Sequence, residues 1–169
     1  MCYEAIDIAQ YVINYSIDRG KPISNLKLQK VLYYIQAAFL VNRNNPCFKE
    51  DIQNWRHGPV VPEVYKRYKI YSNREINEKQ TGHSELALDE DSNLYTKIVE
   101  FREDKICEKD KILIKKVVDS YLDVEPWEMV KKTHHEDPWI YTSRAEQISI
   151  ESIREYFKLN RSRIFCGGN

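Results

Sequence analysis

One run constrains the fold of this chain more than any other: Ser24-Asn-Leu-Lys-Leu-Gln-Lys-Val-Leu-Tyr-Tyr-Ile-Gln-Ala-Ala-Phe-Leu-Val41. Leu28, Leu32, Ile35 and Phe39 recur at the three- and four-residue spacing of one helical stripe, and Val31, Ala38 and Leu40 widen it. Beyond Lys30 there is little charge, so a helix here needs neighbours on most sides. Gly20 and Pro22 break the chain before it, Ser24 or Asn25 supplies an oxygen for an N-cap, and the stretch from Asn42 to Pro46 ends it. The expectation is a mainly α, single compact domain of about seven or eight helices around a central buried helix (24–42), with at most a minor short β-hairpin.

The rest of the chain fits that frame. Tyr3 to Asp18 reads as a first helix, antiparallel to the central one. In Trp55-Arg56-His57-Gly58-Pro59-Val60-Val61-Pro62-Glu63-Val64-Tyr65, Gly58-Pro59 forces a sharp turn and Pro62 opens a third helix that reaches about Tyr71. Residues 72–85 are polar and read as a mobile surface loop. Leu94, Ile98, Val99 and Phe101 predict a fourth helix from about Ser92, and Asp110 begins a fifth. Further helices start at Pro126, near Pro138 and at Ile150. Short extended pieces are expected only near 49–55 and 86–90. At 169 residues the chain has enough length for one core without disulfides or metal. The domain is expected over 1–160, with 161–169 a flexible tail.

Composition narrows the function. Twenty-six basic and 26 acidic residues cancel, which disfavours a dedicated nucleic-acid binder. Lys115-Lys116, Lys131-Lys132 and Arg161/Arg163 read as solvated faces. Cys2, Cys47, Cys107 and Cys166 are far apart in sequence and form no metal or redox motif. Neither a signal-peptide pattern nor an apolar run of the roughly 18–20 residues that a membrane span needs is present. A cytoplasmic protein with reduced thiols is therefore expected. No cofactor is expected either: no Gly-rich phosphate loop occurs among only five glycines.

His134-His135-Glu136 lacks the spacing that brings two imidazoles to one face of a helix, so a metal site is not expected there, nor with His57 and His83 added through space. No cysteine has the flanks of a nucleophile elbow. These residues predict no enzyme. Two stretches remain, Trp55–Tyr65 and Thr133–Trp139, each with Trp, Pro and His together. Prolines fix such turns, and an indole can fill a groove beside the central helix or stand out as an anchor for a protein partner.

Three motifs in order resemble one family: Ser24-x-Leu26-Lys27-Leu28-Gln29-Lys30-Val31-Leu32-Tyr33-Tyr34, Trp55-x-x-Gly58-Pro59-Val60-Val61-Pro62-Glu63-Val64-Tyr65, and Thr133-His134-x-Glu136-x-Pro138-Trp139. Together with Ile148 to Phe157 they are similar to the Panacea domain family, SocA-like and phage-associated. The resemblance implies a mainly helical antitoxin of a two-gene toxin–antitoxin system, without catalytic residues. It implies direct neutralisation of a protein toxin encoded by a neighbouring gene, in several cases a translation-blocking relative of alarmone synthetases. One branch instead delivers its toxin to an ATP-dependent protease. Repression of its own operon through DNA is a further reading, against which the zero net charge argues. The expected toxin-facing residues are Trp55, Arg56, His57, Pro59, Tyr65, Tyr68, Tyr71, His134 and Trp139, with the 72–85 loop, and Leu28, Leu32, Ile35 and Phe39 are expected in the core.

Overall fold

The computed structural model describes residues 2–166. In chain order it contains α1 (Ala5–Asp18), α2 (Asn25–Asn42), β1 (Gln53–Trp55), β2 (Gly58–Val60), α3 (Pro62–Tyr68), β3 (Gly82–Leu88), β4 (Leu94–Glu100), α4 (Glu108–Tyr121), α5 (Pro126–Thr133), α6 (Asp137–Ile140) and α7 (Ile150–Leu159). Single 3₁₀ turns follow α3, precede α4 and close the described chain at Arg161–Ile164.

Helix α2 is buried on every side. Leu28, Leu32 and Ile35 have no exposed surface and Phe39 has 3%. Ser24 accepts a hydrogen bond from the Lys27 amide at 3.4 Å, the N-cap that its position before the apolar run suggests. Around α2 pack α1, α3, α4, α5, α7, β2 and the last 3₁₀ turn. On one side the contact is aromatic: Tyr34 stacks on Tyr121 of α4 at 4.8 Å, and Phe157 of α7 meets Tyr33 and Tyr34 edge-on at 5.7 and 6.0 Å. Burying large rings at zero exposure supplies much of the drive to fold, at roughly 25 cal/mol per Å² of apolar surface.

The mainly α expectation is wrong. The fold is mixed α/β, with two antiparallel two-stranded hairpins, β1–β2 and β3–β4. The helix expected from Ser92 is strand β4, and the end of the expected 72–85 loop is the first half of β3. The apolar spacing of Leu94, Ile98 and Phe101 suits a helix, but Leu94, Thr96 and Ile98 also alternate. Tyr95, Thr96, Ile98 and Val99 are the aromatic and β-branched types that favour a pleated strand. Asp89 decides between the two readings by building the turn: its carboxylate accepts the Asp91 and Asn93 amides at 3.0 and 2.8 Å, and Ser92 takes a positive φ of 65°.

Of the tail expected at 161–169, Arg161–Ile164 forms the last 3₁₀ turn with Ile164 1% exposed, and residues 167–169 lie outside the described residues. Among the described residues no helix is long and apolar enough to cross a membrane.

Candidate functional site

The three motifs meet in space, and polar side chains of α2 hold them together. Four such side chains have almost no exposed surface: Asn25, Gln29, Lys30 and Gln36. A buried polar group costs free energy unless it is paired, and each of these is paired with the backbone of a neighbouring segment. Asn25 donates to the Tyr65 carbonyl at 3.1 Å and Gln29 accepts the Val61 amide at 2.9 Å. Lys30 Nζ donates to the Pro59 carbonyl at 3.0 Å. Nearly two turns further on, Gln36 donates to the Phe48 carbonyl at 3.0 Å and accepts the Cys47 amide at 2.7 Å. The Gly-Pro-Val-Val-Pro turn is thus fixed by bonds to its main chain, independently of what its own side chains are.

Gly58 sits where the packing is tightest. Its φ is +98°, and a Cβ there would lie 2.6 Å from Thr133 Oγ1 and 2.8 Å from Lys30 Cε. Glycine is required at this position twice over, by backbone conformation and by the approach of α2 and α5. Burial pulls the Lys30 ammonium down to about 7, which favours the neutral amine relative to an ordinary lysine.

The Thr133–Trp139 stretch locks onto the same turn. His134 stacks on Trp139 with ring centres 4.0 Å apart, and the Trp139 indole donates to the Trp55 carbonyl at 3.1 Å. Asn54 donates to the carbonyls of Trp139 and Thr142 at 2.6 and 2.7 Å. Burial first, and the nearby Lys30 second, lower the His134 pKa, which favours the neutral ring. Glu136 points inward with no exposed surface, where Tyr34 donates to it at 3.1 Å and Arg163 pairs with it at 3.4 Å. Burial raises its carboxyl to about 7, with Lys132 and Arg163 opposing the shift. Glu136 therefore ties α2, the α5–α6 turn and the last 3₁₀ turn into one unit.

What remains on the outside is a groove of about 680 Å³ between the start of α2, the β1–β2 turn, α3 and the start of α5. Trp55, Arg56, His57, Tyr65 and Trp127 line it, with Ser72, Asn73 and Glu125 at its rim. Trp55 and Tyr65 meet edge-on at 4.9 Å; His57 and Trp127 do the same at 5.1 Å. Arg56, His57 and Trp127 are exposed and Trp55 and Tyr65 half-buried. Such a surface, with rigid aromatic rings and few charges, can take an apolar side chain of a partner and rim it with hydrogen bonds.

The expected site residues divide accordingly. Trp55, Arg56, His57 and Tyr65 come together. Pro59 and Tyr68 are buried, Tyr68 at 2% exposure, and offer nothing to a partner in this conformation. Tyr71 lies partly buried beyond α3, bonded to Glu78 at 3.2 Å. His134 and Trp139 are half-buried and occupied with each other and with the backbone. Trp127 was missed: it follows Pro126 at a helix start, where an exposed side chain and a core one look alike in sequence. Among the described residues no group of three or more His, Cys, Asp or Glu side chains converges as a metal ligand set would.

The family model described as "Antitoxin SocA-like, Panacea domain" matches residues 28–140, most of the chain, with part of the first motif and all of the other two. The chain belongs to this family. A SocA-like relative, Antitoxin SocA of Caulobacter vibrioides (strain NA1000 / CB15N), is 40% identical over 62 residues. That match takes in 34% of this Panacea chain and 33% of the relative, so the chain spans about a third of the curated relative it matches. No solved structure matches.

Proposed function

We propose that this protein is an antitoxin that neutralises a protein toxin encoded beside it by binding it directly. The observation that carries the reading is the groove of Trp55, Arg56, His57, Tyr65 and Trp127, built on the turn that the family motifs hold rigid. An antitoxin must be occupied at low concentration, and a nanomolar Kd corresponds to about −12 kcal/mol. Anchors already held in place lower the ordering cost of reaching that affinity. Membership in a family named for an antitoxin supports the role, and the surface supports contact with protein more than with nucleic acid or membrane. On this reading the protein acts in the cytoplasm, is not an enzyme and needs no cofactor. A translation-blocking, alarmone-synthetase-like toxin is the target class that the family resemblance favours.

The test is co-expression. The neighbouring gene alone should arrest growth, and this chain should restore it, with the toxin level unchanged and the two proteins recovered as an equimolar complex. Arg56→Glu with His57→Glu puts two carboxylates into the exposed lining of the groove. It should weaken the complex at least tenfold without moving the thermal midpoint. A harmless neighbour, or protection without complex or toxin loss, defeats the reading. Protection with falling toxin level and dependence on an ATP-dependent protease replaces it with proteolytic delivery.

A further inference from the structure

Hairpin β3–β4 is oriented the wrong way round for a domain that works alone. Its strands pair from Gly82↔Glu100 to Leu88↔Leu94, which at about 3.4 Å per residue makes an arm roughly 24 Å long. The base is tied down: His83 is 8% exposed, its pair Val99 is partly buried, and Arg67 donates to the Ser84 carbonyl at 3.1 Å. Side chains alternate across a hairpin, and here one face holds Ser84, Leu86, Leu88, Leu94, Thr96 and Ile98. Leu86, Leu88, Leu94 and Ile98 on that face are 69%, 63%, 65% and 73% exposed. The opposite face carries the Glu85–Lys97 ion pair at 3.2 Å. A row of four large aliphatic side chains in water marks a surface with a partner. The Asp89 turn makes the arm a preformed element, whose docking has little ordering to offset.

Charge says which partner fits. The chain as a whole is neutral, yet between Gly82 and Glu100 five carboxylates face a single lysine, and three of them, Asp89, Glu90 and Asp91, are at the tip. A second copy of this chain packed tip against tip would set Asp89, Glu90 and Asp91 against the same three carboxylates, placing like charges together. An apolar cleft with a basic rim at its far end complements both the face and the tip. A protein that binds nucleotides or RNA has such a cleft where it holds phosphates.

We propose that the β3–β4 arm inserts its Leu86–Leu88–Leu94–Ile98 face into an apolar, basic-rimmed cleft of the toxin, as a second contact beside the aromatic groove. This rests on the antitoxin reading above. The measurement is the affinity of the full chain for the purified neighbouring toxin, alongside protection in co-expression and the sedimentation of the chain by itself. Leu86→Ser with Ile98→Ser should leave the thermal midpoint in place, weaken binding at least 100-fold and abolish protection. Glu90→Lys with Asp91→Lys should slow association at least tenfold at low salt and much less in high salt. If the wild-type chain protects and the serine variant binds as tightly as it does, the arm is not the contact and the antitoxin reading stands. If the wild-type chain neither protects nor binds, the antitoxin reading fails and the arm assignment with it. A wild-type dimer that the serine variant converts to monomer gives the face to a second copy and overturns the toxin assignment.

Discussion

At the scale of single residues, the chain depends most on polar groups placed where apolar ones would be expected. Gly58 has no substitute: Gly58→Ala adds a positive-φ penalty to a contact under 3 Å with α5 and α2. It should cost about 2–4 kcal/mol in chemical denaturation. Lys30 makes a pH-dependent contribution whose sign is fixed. Its folded pKa, about 7, lies below the ordinary lysine value. Between those two values the unfolded chain holds a proton that the folded chain has released. This contribution to stability therefore rises with pH from about 7 towards 10, by an amount on the order of a few kcal/mol, and is flat below. Denaturation at pH 7, 8.5 and 9.5 should show that slope in the wild type and its loss in Lys30→Met. Met fills the lysine's volume and leaves only the Pro59 carbonyl without a partner. In the sequence Lys30 is visible only as one of two charges, with Lys27, in an otherwise uncharged run. That Asn25, Gln29, Lys30 and Gln36 form one set was not legible, because their partners are main-chain atoms, which carry no signature in the sequence.

At the scale of elements, the two hairpins are held in opposite ways. β1–β2 is short, held by α2 and by Asn54, and carries the groove. β3–β4 is longer and held only at its foot. Replacing residues 84–98 by Asn-Gly joins His83 to Val99 through a two-residue turn of the kind hairpins favour. Because almost nothing above that pair packs on the domain, the shortened protein should unfold within about 1 kcal/mol of the wild type. In the full chain, amides of Glu85 to Lys97 should exchange far faster than those of α2. Helices α1 and α2 could be placed from periodicity and caps because both bury an unambiguous face. The arm could not. Its apolar residues face water, and any reading that assigns apolar residues to the protein's own core turns it into a helix. The motif aromatics failed in the other direction: Tyr68 and Tyr65 sit three residues apart on α3, one buried and one lining the groove, and composition could not separate them.

At the scale of the whole molecule, a neutral total conceals a division. The arm is acidic, so the remainder of the chain carries a matching basic excess. Affinity for a basic-rimmed partner should fall as salt rises, even though net charge predicts no dependence. The toxin-facing regions proposed here also differ in how they are held, one set in a braced turn and one on an arm free above its base. The bracing has a consequence for how such a protein can change. A turn whose course is dictated by amide and carbonyl contacts from Asn25, Gln29 and Lys30 does not depend on the identity of Trp55, Arg56 or His57 to keep its shape. Those positions act as interchangeable type in a fixed frame. On the proposed reading, a few substitutions at the exposed Arg56 and His57 would retarget the surface to a new partner without disturbing the main-chain contacts that set the turn.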